Sequence, residues 1–98
     1  MALINENMME MLAVSKELLT SCVENETLIC VHLHKADNVT SGSTFLNEFV
    51  LETNELYLEG KHFMSHLHEE ISNIQYIDFE NSIYIVMGDT EIYIDILD

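Results

Sequence analysis

Residues 82–97 read SIYIVMGDTEIYIDIL. Ile83, Ile85 and Met87 alternate with Ser82, Tyr84 and Val86, and beyond Gly88-Asp89 Ile92, Ile94 and Ile96 alternate with Glu91, Tyr93 and Asp95. Period-two alternation marks half-buried strands, and a Gly-Asp pair between two such runs supplies a hairpin turn. One face is aliphatic and needs a core. The other carries carboxylates and tyrosines, and this division guides the reading of the remaining chain.

Further back, Glu55–Glu59 repeats the pattern, with Leu56 and Leu58 opposed to Glu55, Tyr57 and Glu59. Thr53-Asn54 is a plausible turn joining it to Phe45–Glu52. Ile74–Asp78 supplies another strand, with Tyr76 and Asp78 at one parity and a turn near Phe79–Asn81. By this reading all four tyrosines fall on the polar side. Thr27–His34 is apolar at both parities, as in a strand covered on both faces. Lys35–Thr44 (KADNVTSGST) has loop composition and is expected to be the most mobile segment. Lys61–Glu70 (KHFMSHLHEE) is ambiguous: Phe63, Leu67 and Ile71 fit a helix, whereas Phe63, Ser65 and Leu67 fit a strand.

The stretch from about Leu3 to Val23 has helical spacing. Ile4, Met8, Met11, Leu12, Ser15, Leu18, Leu19 and Cys22 recur at three- and four-residue steps. Opposite them Glu6, Glu10, Glu17 and Glu24 line up within about 40° at ~100° per residue, a stripe about 27 Å long. The expected architecture is a single α+β domain over residues 1–98. An N-terminal amphipathic helix (1–24) packs on an antiparallel β-meander of five or six strands in the mainly β region 27–98.

Charge narrows the function. Eighteen Asp and Glu stand against three Lys and Arg together, a formal −15. Solubility of a small domain is served by a net charge of roughly 2–8, so the excess asks for a basic partner. Direct nucleic-acid binding is disfavoured because no basic patch exists. The longest apolar runs fall far short of the ~20 residues of a transmembrane helix. Without a secretory signal or a cysteine framework around Cys22 and Cys30, the chain reads as cytoplasmic with reduced thiols.

Chemistry-bearing motifs are sparse. Neither Gly-x-Ser-x-Gly nor a Gly-rich phosphate loop occurs, so an enzyme is not expected. His32 and His34 share a strand face, and His62, His66 and His68 crowd a second segment. Their spacings match no closed zinc site, so no metal and no cofactor is expected.

In size, charge and lack of motif the chain resembles the small inhibitors that phages and mobile elements use against host defence, anti-CRISPR and anti-restriction proteins among them. It is similar in the same respects to acidic immunity proteins that block basic nucleases. The resemblance is one of class and rests on composition. It implies a non-enzymatic inhibitor that occupies the basic nucleic-acid-binding surface of a nuclease or effector complex. The expected contact face comprises Glu55, Tyr57, Glu59, Tyr76, Asp78, Tyr84, Glu91, Tyr93 and Asp95, with two acids at i, i+2 on a strand ~6.6–6.8 Å apart. Glu6, Glu10, Glu17 and Glu24 form a secondary acidic stripe. The alternatives are a homo-oligomer, such as a dimer, joined through the Met-rich helix, and a His-based metal-binding protein.

Overall fold

The computed structural model describes residues 6–97, with the Glu6 side chain outside the described part; Leu3 and Ile4 also lie outside it. One helix, α1 (Glu6–Glu24), packs on a seven-stranded antiparallel sheet, an α+β arrangement. The strands are β1 (Leu28–Lys35), β2 (Asn38–Glu52), β3 (Glu55–Gly60), β4 (Met64–Leu67), β5 (Ile71–Ile77), β6 (Ser82–Met87) and β7 (Thr90–Leu97). Their order is β4-β3-β2-β1-β7-β6-β5, so two meanders join where β1 pairs with β7.

Two expectations are corrected. The sheet has seven strands rather than five or six, because the ambiguous segment contributes β4. The stretch expected as a mobile loop is instead the Ala36-Asp37 turn followed by the first half of β2. Pairing with β1 from Leu28↔Phe45 to Lys35↔Asn38 decides it, since the Ser and Thr there sit comfortably on a sheet face.

The topology forces the sheet to curl. Seven strands laid flat span about 29 Å between edge-strand axes. Yet edge strands β4 and β5 are joined by His68-Glu69-Glu70 alone, which bridge at most about 14 Å. The Ile71 amide donates to the Thr53 carbonyl at the β2–β3 turn, fastening the start of β5 beside the opposite half of the sheet. Curling also bends β2. Fifteen residues would run about 46 Å straight, beyond the 36 Å longest dimension of the molecule. The register shift between Leu46 and Glu48 marks the bend, and a bulge is the usual device for one.

Helix α1 packs against β2 and β5, burying Leu12, Ser15, Leu19 and Cys22. These are the positions its spacing assigns to the core. The helix ends in a Schellman-type cap: Glu26 adopts φ 52° and the Thr27 amide reaches the Cys22 carbonyl at 3.0 Å. The inner sheet face supplies Ile29, Val31, Leu46, Leu51, Leu56, Leu58, Ile83, Ile85, Ile92 and Ile94, all buried. No helix among the described residues is long and apolar enough to cross a membrane.

Candidate functional site: the outer face of the sheet

With the aliphatic residues turned inward, register fixes what the outer face presents. Across β5, β6, β7, β1 and β2 one row reads Gln75, Tyr84, Tyr93, His32 and Ser41. A flanking row reads Asn73, Val86, Glu91, His34 and Val39; the other reads Ile77, Ser82, Asp95, Cys30 and Ser43. Glu91, Tyr93, Asp95 and Tyr84 are therefore brought together as expected. The tyrosine rings lie 4.8 Å apart, and His34 meets Tyr93 edge-on at 5.5 Å. Burial, and then the charge of Glu91, raise the pKa of Tyr84 above the usual phenol value.

A second cluster occupies the same face toward the other edge. Past the bulge, Glu48, Val50 and Glu52 take the outer positions of β2, opposite Glu59, Tyr57 and Glu55 of β3. Tyr57 in turn opposes His66 of β4. Each cluster thus presents acid, tyrosine, acid at alternate residues of one strand. Because a ring intervenes, the acids of one strand stand about 13 Å apart, not the 6–7 Å of adjacent outward positions. Along one strand the acids are sparser than the phosphates of a duplex, whereas across strands Glu48 stands opposite Glu59 and Glu52 opposite Glu55. The array is a set of rings separated by carboxylates.

Two expected residues are placed elsewhere. Tyr76 opposes buried Ile83 and packs against the core, with its hydroxyl donating to Asn81 Oδ1 at 2.7 Å. The register shift between Ile71 and Asn73 puts Ile74 and Tyr76 together on the inner side. Asp78 leaves the sheet altogether, in the single-turn 3-10 helix Asp78–Glu80. Glu10, Glu17 and Glu24 are exposed on α1.

That 3-10 turn displays a residue that sequence reasoning missed. Phe79 is 90% exposed between Asp78 and Glu80. Asn81 holds the turn in a left-handed conformation (φ 52°). Its side chain accepts from Tyr76 and donates to the Ile96 carbonyl at 3.1 Å, while its own carbonyl accepts the Ile96 amide at 2.9 Å. A fastened turn holding an exposed aromatic ring is signalled in the sequence only by Asp-Phe-Glu-Asn between two strands.

Of the three lysines, only Lys16 touches an outer cluster, through Glu52 at its end. Lys16 of α1 reaches Glu52 at 3.3 Å, Lys35 lies 3.9 Å from Asp89 at the adjacent turn, and Lys61 lines a cleft of about 450 Å³ with Val23, Glu26, Phe45, Leu46 and Asn47. A smaller cleft, about 280 Å³, lies beside Met8, Met11 and Ser72. Neither cleft sets a nucleophile against a general base.

Outside the clefts, His32 has two such neighbours, with Cys30 Sγ 3.4 Å from its Nε2. The same Nε2 lies 3.3 Å from Asp95 Oδ2, while Nδ1 faces Ser41 Oγ at 2.8 Å. A relay needs nucleophile and carboxylate on opposite ring nitrogens. Cys30 and Asp95 compete for Nε2, whereas the Ser41 hydroxyl and Asp95 take opposite nitrogens of the His32 ring in serine–histidine–carboxylate order. The group also braces β1, β2 and β7, and Ser82 extends it by donating to Asp95 Oδ1.

The alternative of self-association through the helix meets an obstacle in Leu12, which is buried, and in Met8 and Met11, which pack half-buried against the core. Of the helix methionines described, Met9 is the exposed one, at 52%.

Tyr57 offers a measurable handle. Its hydroxyl donates to Glu59 Oε1 at 2.6 Å. That bond, then partial desolvation and the charges of Glu59 and Glu48, push its pKa up to about 12. Because the folded value is raised, the phenol–carboxylate bond is intact below the usual ~10 and is lost as pH rises through about 12. Ultraviolet titration should therefore show one tyrosine ionising last, near pH 12. Glu59→Gln should bring it back toward 10; an unmoved curve would discount the bond.

No known protein family, curated protein or solved structure matches the chain, so the functional reading rests on this geometry.

Proposed function

We propose that the chain is a protein-binding inhibitor that lays the outer sheet face on the basic, nucleic-acid-binding surface of a partner. The observation that carries this reading is the segregation on that face: Glu91, Asp95, Glu55 and Glu59 surround Tyr84, Tyr93 and Tyr57, while Lys16 meets only Glu52 and the other two lysines lie elsewhere. Carboxylates select and steer a basic partner, and tyrosines supply rigid contact area with a polar tip. Phe79 fits the role of an anchor, since a few buried aromatic residues dominate most interfaces.

Along each strand the acids are spaced more widely than the phosphates of a duplex. The proposed inhibition is therefore steric occupation of a basic groove, with nucleic acid and this protein competing for one surface.

The test is capture by the immobilised chain from a candidate host lysate at low and high salt, with and without added duplex DNA or RNA. A specific partner released by salt and displaced by nucleic acid is the expected result. A partner retained against both would place binding on an apolar surface and end this reading.

A further inference from the structure

We propose that Glu55, His66 and His68 form a binding site for a divalent transition-metal ion of the zinc class, with coordination positions left open to solvent or to a donor from another molecule. The sequence spacing points to no metal, because the three ligands converge only across two strands. His66 lies in the extended β4 and His68 follows it two residues on, just past the strand end, whereas a helix would have paired His62 with His66. Register then brings β3 alongside: Tyr57 opposes His66 and Leu56 opposes Leu67, the last residue of β4, so Glu55 comes near His68 just past the strand end.

The donor atoms of Glu55, His66 and His68 all lie within 4.8 Å of one another. His66 Nε2 stands 2.7 Å from Glu55 Oε2, and the two imidazole rings are 4.1 Å apart between centroids. Ligands about 2.0–2.2 Å from a tetrahedral zinc are roughly 3.4 Å from each other. The gap between His66 and Glu55 therefore has to widen by only about 0.7 Å to admit the ion. Rotamer adjustment of exposed side chains supplies that without moving the strands.

Ligand chemistry selects the metal. Two imidazoles with one carboxylate suit zinc, nickel, cobalt or copper, whereas magnesium and calcium prefer all-oxygen sets. Three protein ligands also leave a tetrahedral ion one position short of closure. Tyr57 packs edge-on against His66 at 5.2 Å between ring centroids and limits its rotation. The formal charge of −15 raises the local cation concentration. Both histidines are exposed, so the open position faces outward.

The experiment is calorimetric titration of ZnCl2 into untagged protein in a non-chelating buffer, repeated with MgCl2 and with His66→Ala, His68→Ala and Glu55→Gln. The expected result is saturation near one zinc per chain and no comparable response to magnesium. Each substitution should weaken zinc by at least the roughly 10–100-fold that loss of an outer-shell partner causes. In amide and imidazole NMR spectra, zinc should move signals of residues 66 and 68. His34→Ala, also on the outer face, should bind zinc as the parent does. Circular dichroism confirms that each variant is folded, and His68→Gln replaces any that is not. Weak unsaturable heats, or binding that survives both histidine substitutions, would overturn the proposal by assigning the ion to dispersed carboxylates. Binding lost instead in Cys30→Ser and His32→Ala would overturn it equally, in favour of the cluster beside Asp95. Because neither readout involves a protein partner, failure here leaves the inhibitor reading untouched.

Discussion

Ile94→Ala should remove about 2–5 kcal/mol of stability, enough to leave a protein of ordinary stability, about 5–15 kcal/mol, close to unfolding. Ile94 sits at the middle of the inner face, opposite Val31 on one side and Ile83 on the other, and all three are fully buried. Removing Cγ1, Cγ2 and Cδ1 there opens a cavity that hydrogen-bonded strands on both sides cannot collapse to fill. Ile94→Val keeps most of the volume and should cost only about 0.5–1.5 kcal/mol. The formal charge of −15 adds self-repulsion in the folded state. Added salt shortens the Debye length from about 30 Å at 0.01 M to about 3 Å at 1 M, so the urea midpoints of parent and variants should rise with NaCl. An Ile94→Ala protein within about 0.5 kcal/mol of the parent, as for a neutral surface change, would mean that this row is not the core.

Legibility of the fold followed the locality of its signals. Residues 82–97 announce their hairpin because alternation and turn chemistry agree over a short span. The helix face is likewise legible, since Leu12, Ser15, Leu19 and Cys22 obey a single period. The Lys35–Thr44 stretch departs from its loop composition because its Ser, Thr, Asn and Gly favour loops intrinsically, while pairing with β1 fixes them as strand. At Gly42 the strand accommodates Phe63, whose ring would lie 2.8 Å from any added Cβ. That contact joins residues twenty-one positions apart, which no local pattern reveals.

The candidate site was legible in the same proportion. Tyr84, Glu91, Tyr93 and Asp95 follow from alternation alone. Tyr76 does not, because the irregular start of β5 shifts which parity faces the core. The β2 bulge likewise decides that Glu48 and Val50 join Tyr57 on the outer face. Glu55 and His68 meet only through the β3–β4 register. Phe79 was passed over as a turn residue because exposure of an aromatic is a property of the assembled surface.

Reversing charge at the Phe79 turn and on the outer face should weaken capture of the partner by up to about 100-fold at low salt. The substitutions are Asp78→Lys, Glu80→Lys and Glu91→Lys, all at exposed positions. Asp95 is left alone because it braces His32 and Ser82, so its loss would confuse binding with folding. An exposed ion pair contributes at most about 1 kcal/mol, and three together give about 3 kcal/mol, two decades in affinity. Most of the loss should fall on the association rate, which complementary charge governs, and it should shrink at high salt. Phe79→Ala should act differently, speeding dissociation with little salt dependence, as expected when an apolar anchor is lost. The decisive control is the matched triple Glu10→Lys, Glu17→Lys and Glu24→Lys on α1, which changes net charge equally at another exposed surface. If the outer face docks, the helix triple slows association far less than the sheet-side triple. Equal losses from the two triples would show that net charge alone attracts the partner, and would remove the outer face with its Phe79 turn as the contact surface.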